Sequence, residues 1–262
     1  MELIRKVSKG SRMNQIYIPK ERMGFNVGAY VIIKPIAPTE IKLGLFSYGS
    51  LELSPLKAKI AETIFQIITG MADIENIFIM GSFLDKGYNF NDIDIIIISK
   101  KQIEPTRIAA KITEEIGIKP HLIISDYSTL LRGISSDPLF ELMMSRYVSM
   151  NRWIIKKRRT FDYKKLDLHL LKSKDFDRNF DYISGRQKYE FIRNLMAIKL
   201  FIEGKRLTHH TLDKEINKEL GIQKKELLDN MIPKEKDLIK RYNSIFKRIE
   251  RLVFKGMEHE SK

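Results

Sequence analysis

At 262 residues, 43% hydrophobic and +14 in formal charge, the chain is long enough for two or three domains and basic enough to suit polyanionic partners. It contains no cysteine, which excludes disulfides, thiolate zinc sites and a cysteine nucleophile, so any metal must be held by oxygen or imidazole. No apolar run approaches the ~20 residues that span a bilayer, and Met1-Glu2-Leu3-Ile4-Arg5-Lys6 lacks the apolar core of a signal peptide, so a cytoplasmic protein with no membrane partner is expected.

Residues 1–50 read as a small β unit. Val7-Ser8-Lys9-Gly10 leads into Gln15-Ile16-Tyr17-Ile18-Pro19-Lys20-Glu21, and Gly24 and Gly28 supply turns before a strand beginning at Tyr30-Val31-Ile32-Ile33. The pieces Ser8-Lys9-Gly10, Ile18-Pro19-Lys20-Glu21 and Gly24 through Val31 resemble the AbrB-like swapped-hairpin domain. That resemblance implies a homodimer of interleaved hairpins with a basic, DNA-contacting face, for which Lys9, Arg12 and Lys20 are the candidates. The extra Ser11-Arg12-Met13-Asn14 and the short stretch between Pro19 and Gly24 depart from the pattern. A solvated, charged strand edge accounts for the same cations without DNA.

Pro55 opens a helix over 56–71, with apolar residues at Ile60, Ile64, Ile67 and Ile68 at helical spacing. Ile77-Phe78-Ile79-Met80 then reads as a buried strand ending at Gly81-Ser82, where glycine permits close backbone approach and serine offers a hydroxyl to phosphate oxygens. Asp92-Ile93-Asp94 starts a second apolar, β-branched run that continues through Ile98. Residues two apart on a strand share a face, so both carboxylates point the same way. Two parallel carboxylates repel unless a cation sits between them, and Mg²⁺ suits one or two protein carboxylates plus substrate phosphates. Alone, an Asp pair at a strand mouth is more often a loop cap than a metal site.

Gly81-Ser82, nine residues, then Asp92-x-Asp94 resembles the signature of nucleotidyltransferases of the DNA polymerase beta superfamily, over roughly residues 55 to 127. The resemblance implies an α/β nucleotidyltransferase core. Asp92 and Asp94 are its metal and catalytic residues, Gly81 and Ser82 bind the nucleotide, and Mg²⁺, or Mn²⁺, is its cofactor. A helix over 104–116 crosses back to a third strand, Pro120-His121-Leu122-Ile123-Ile124-Ser125-Asp126. There the family's third carboxylate is expected, and the matching place holds His121. A histidine serves as a base but binds Mg²⁺ poorly. Asp126 is the other candidate, at the far end of the strand and on the opposite face by alternation.

Residues 131–262 read as a mostly helical, substrate-binding region, after a core at 51–130. Helical spacing recurs at 141–150, 186–203, 211–220 and 234–254, punctuated by Gly185, Gly204 and Pro233. Formal charge runs about +5 over 1–50, −3 over 51–127 and +12 over 128–262, so basic flanks surround a mildly acidic centre. Trp153 followed by Lys156, Lys157, Arg158 and Arg159 is a candidate grip on a nucleic-acid backbone, or a solvated loop after a buried helix. Arg186, Lys188 and Arg193 are candidates for reaching the triphosphate or the acceptor. The reading is an enzyme that transfers a nucleoside monophosphate from NTP, ATP for example, to an acceptor hydroxyl on RNA or protein. Alternatives are an antitoxin-like enzyme that modifies a partner toxin, and an inactive DNA-binding regulator that retains the fold.

Overall fold

The computed structural model describes residues 45–260 apart from 50, 51, 89 and 155–157, together with residues 3, 5, 8, 11, 13–20, 25, 27, 28, 31 and 33. The chain divides into two compact units. One comprises the residues up to Tyr127 with Arg146–Ile154, and the other Ser128–Ser145 with the residues after Ile154.

The first unit is built on a five-stranded mixed sheet. Its strands are β1 (Phe46–Tyr48), β2 (Asn76–Met80), β3 (Asp92–Ile98), β4 (Lys119–Ser125) and β5 (Tyr147–Ser149), in the order β1-β5-β2-β3-β4. β2 runs antiparallel to both β3 and β5, while β3 and β4 are parallel and joined by a helix, as a parallel connection requires. Helix α1 (Pro55–Met71) starts at Ser54, whose side chain accepts from the Lys57 amide, and α2 (Pro105–Ile116) starts at a proline and stops at left-handed Gly117. Ile60, Ile64 and Ile68 of α1 and Ile108, Ile112 and Ile116 of α2 pack with Ile77, Ile79, Ile93, Ile95 and Ile97 in one apolar cluster. The odd-numbered residues of β3 thus face the helices, and Asp92, Asp94, Ile96 and Ile98 take the other face. On that face Phe78 meets Tyr147 and Trp153 at ring-centroid distances of 5.4 and 5.0 Å, and Trp153 meets Tyr127 at 5.4 Å.

Two expectations change, and another, the N-terminal β unit, falls mostly outside the described residues. The helix expected over 141–150 is instead a short helix, α4 (Pro138–Met143), followed by strand β5. Tyr147 and Val148 are poor helix formers, and their backbone groups are satisfied between β1 and β2, which outweighs the local spacing. In the N-terminal region the described residues contain one antiparallel bridge, Ser8 with Gln15, held by hydrogen bonds of 2.7 and 2.8 Å, and no strand before Phe46. Much of the expected hairpin, including Lys9, Arg12, Gly24 and Tyr30, lies outside the described residues, as do Lys156 and Lys157. Lys188 does not reach outward: it is buried, with its ammonium 3.9 Å from the Phe180 ring centroid.

The second unit is helical. After α3 (Tyr127–Ser136) and α4 come α5 (Tyr163–Leu171), α6 (Phe176–Asn179), α7 (Gly185–Ile202), α8 (His209–Leu220), α9 (Lys224–Leu228) and α10 (Glu235–Glu260). Ser184 and Gln187 close a capping box on α7, the most buried of these helices. Its Lys199 ammonium is taken up by Glu203, Glu215 and Glu219. Among the described residues no helix is long and apolar enough to cross a membrane.

The placement of β5 predicts slow exchange of the Met150 amide, which donates to the Ile77 carbonyl at 3.0 Å, on the timescale of the β2–β3 core. Hydrogen exchange read by mass spectrometry checks this. Exchange as fast as that of an exposed loop contradicts a strand there.

Candidate active site

The antiparallel β2–β3 ladder ends with Met80 opposite Asp94, and the next residue, Gly81, turns over the Asp94 side chain. Gly81 has φ +78°, a left-handed conformation that side chains rarely adopt, and a Cβ there would lie 2.1 Å from Asp94 Oδ2. The conformation favours glycine, and a Cβ there would force the Asp94 carboxylate to shift. Ser82 follows, partly exposed, in the 3-10 turn Gly81–Leu84, whose Phe83 and Leu84 anchor the turn in the core.

Asp92 and Asp94 lie on one face of β3, with Ile93 between them fully buried on the other. Asp92 is exposed and Asp94 half-buried. Across the parallel ladder Asp94 pairs with His121 and Asp92 with Lys119, so both carboxylates and the imidazole share one face. His121 Nδ1 lies 3.1 Å from Asp94 Oδ1. A carboxylate only accepts, so the shared proton sits on Nδ1, leaving Nε2 as an acceptor while the ring is neutral. Asp126 is remote. Ile98 pairs with Ser125 at the opposite end of the ladder, and Asp126 lies five residue steps along the extended chain from His121, roughly 16 Å.

The residues after Ser82 are tied down by two cations that the linear motif does not contain. Lys57 is buried in the first turn of α1, donates to the Asp85 main-chain carbonyl, and lies 5.3–5.6 Å from the ring centroids of Phe83, Tyr88 and Phe90. Burial holds its pKa below the usual lysine range. The Asp85 charge opposes that shift and the Arg146 charge adds to it. Arg146 donates to Asp85 Oδ1 at 2.5 Å. Sequence reading missed both residues. The signal for Lys57 was its place on the apolar face of α1, in line with Ile60, Ile64 and Ile68; Arg146 left none.

Among the expected nucleic-acid residues, Lys20, Arg158 and Arg159 are the described ones. Lys20 and Arg158 are exposed. Arg159 is not available: its guanidinium grips Glu141 with two hydrogen bonds of 2.8 and 2.9 Å, donates to the carbonyls of Phe201 and Lys205, and lies over the Phe201 ring. Trp153 packs on Phe78 and Tyr127.

No protein-family model, curated protein or solved structure matches the chain.

The Gly81 contact predicts a contrast with Gly87, which has φ +80° but open space where a Cβ would stand. Gly87→Ala should cost about 1–2 kcal/mol from backbone strain alone. Gly81→Ala carries the same strain plus displacement of the Asp94 carboxylate, and should cost measurably more in urea unfolding. Equal losses would mean that the close approach is not a constraint.

Proposed function

We propose that the chain is a Mg²⁺-dependent nucleotidyltransferase of the DNA polymerase beta superfamily type. The observation that carries this reading is the Gly81 turn closing directly over Asp94, which brings a phosphate-suited Gly-Ser segment against two carboxylates on one strand face.

The donor chemistry fits a hard cation. Asp92 and Asp94 offer oxygen, and two carboxylates side by side favour a divalent ion between them. They would hold it, with substrate phosphate oxygens and water completing its shell. Among the described residues no group of three or more His, Asp or Glu converges on a point that could hold a metal ion. When bound, such an ion neutralises charge that develops on the transferring phosphoryl group.

Gly81 and Ser82 bind the triphosphate, the glycine by letting the main chain approach and the serine by its hydroxyl. An acceptor hydroxyl attacks the α-phosphorus, the bond to the β-phosphate oxygen breaks, and pyrophosphate leaves. His121, held by Asp94 through Nδ1, accepts the hydroxyl proton at Nε2. The basic charge of residues 128–262 favours a nucleic-acid acceptor, RNA, over a small molecule, with a protein hydroxyl as the other class. The AbrB-like segment adds homodimerisation and DNA contact, and leaves room for a toxin partner.

One observation favours a second reading. His121 stands in register with Asp94, where the superfamily pattern has a third carboxylate, and imidazole is a poor Mg²⁺ ligand. A catalytically inactive, DNA-binding regulator would retain Mg²⁺-ATP binding without turnover.

Incorporation of α-labelled nucleotide into RNA or protein tests the first reading. Asp92→Ala and Asp94→Ala, folded by circular dichroism, should each lower transfer by at least ~10²-fold. Unchanged transfer in either variant rejects the assignment, and nucleotide binding with no turnover by the parent chain supports the regulator.

A further inference from the structure

The Arg146 guanidinium belongs to the same end of the sheet as the Gly81 turn. β5 pairs with β2 antiparallel through Phe78 with Ser149 and Ile79 with Val148, so Arg146, just before β5, and Gly81, just after β2, lie at the same end of the sheet. Its side chain is 21% exposed, and it is engaged by a single carboxylate oxygen of Asp85, which is itself 53% exposed. A guanidinium is built to grip two oxygens of a planar or tetrahedral anion, and one oxygen of one carboxylate leaves much of that fork unused. The neighbouring Lys57 ammonium is held differently: it is buried among three rings and bonded to the Asp85 main chain, not to its carboxylate.

We propose that Arg146 is a triphosphate-binding residue of this site, and that Asp85 is an internal surrogate anion which occupies Arg146 until the triphosphate displaces it. The proposal rests on the nucleotidyl-transfer reading for the identity of the anion. Its physical basis is charge exchange. Without a ligand, Arg146 and buried Lys57 form a pair of cations that both hold Asp85, and the Asp85 carboxylate balances one of them. A triphosphate arriving at Gly81-Ser82 supplies several anionic oxygens in place of that one, so Arg146 exchanges a one-oxygen contact for a forked one. Asp85 can release Arg146 without releasing the turn, because Lys57 keeps hold of the Asp85 carbonyl. The exchange also discriminates: a ligand with one negative charge gains little over Asp85, whereas a polyphosphate gains much.

The roles of latch and surrogate predict opposite signs for one substitution. Asp85→Asn removes the competing charge while preserving the main-chain anchor to Lys57. Calorimetry on the full chain with inorganic tripolyphosphate and Mg²⁺ should show Asp85→Asn binding roughly 3–10-fold tighter than the parent, and Arg146→Ala at least ~10-fold weaker. The double variant should bind no tighter than Arg146→Ala. A misfolded variant cannot imitate a gain in affinity, so the Asp85→Asn result decides. Unchanged or weaker binding by Asp85→Asn, with the parent binding tripolyphosphate, means a purely structural ion pair and overturns this inference alone. Failure of the parent to bind tripolyphosphate overturns it together with the nucleotidyl-transfer reading.

Discussion

A glycine backbone pressed against a carboxylate sets the geometry of this unit. The β2–β3 ladder runs antiparallel until Met80 faces Asp94, and the chain must then leave the sheet over a charged side chain. A residue without Cβ and at home at positive φ does so without displacing that side chain. Everything near the candidate site follows from that exit. Ser82 follows in the turn, Phe83 drops into the core as the anchor, and Asp85 emerges where Lys57 and Arg146 hold it. A carboxylate brought this close to main chain is tolerable because it keeps one side toward solvent and the other on His121.

The electrostatics divide along the sheet. Asp92 and Asp94 project from one end of β3, and Arg146 and Lys57 flank the turn that covers them. Each carboxylate of the pair stands in register with a basic residue, Asp94 with His121 and Asp92 with Lys119. Such an arrangement suits a ligand that carries both signs, a polyphosphate with its cation, better than a simple anion or a bare metal.

Much of the sheet and its helices is legible in the sequence, because the signals are local. Pro55 and Pro105 start α1 and α2, Gly117 ends α2, and the unbroken Ile95 to Ile98 run can only be a buried strand. The relation of Gly81 to Asp94 is likewise encoded in spacing, since a strand, a turn and a return strand bring them together. What escapes is nonlocal. β5 has three residues, too few for periodicity to register, and its strand state depends on β1 and β2, ~70 to 100 residues earlier. Arg158 and Arg159 look alike in the chain, yet Glu141, 18 positions upstream, draws Arg159 inward and leaves Arg158 exposed. Lys188 similarly reads as a surface cation on a helix until Phe180 is placed beneath it. Charge in a sequence states what a side chain carries, and its partners decide whether that charge faces water.

The central claim is that the Gly81 turn and the β3 carboxylates together form a site for a divalent cation that arrives with a triphosphate. Electron paramagnetic resonance of Mn²⁺ titrated into the full chain, with and without a nonhydrolysable nucleoside triphosphate, tests it most directly. The account predicts Mn²⁺ binding that is weak alone, tightens when the triphosphate is present, and is lost in Asp94→Asn. Mn²⁺ binding that ignores the triphosphate, or that survives Asp94→Asn unchanged, would contradict it.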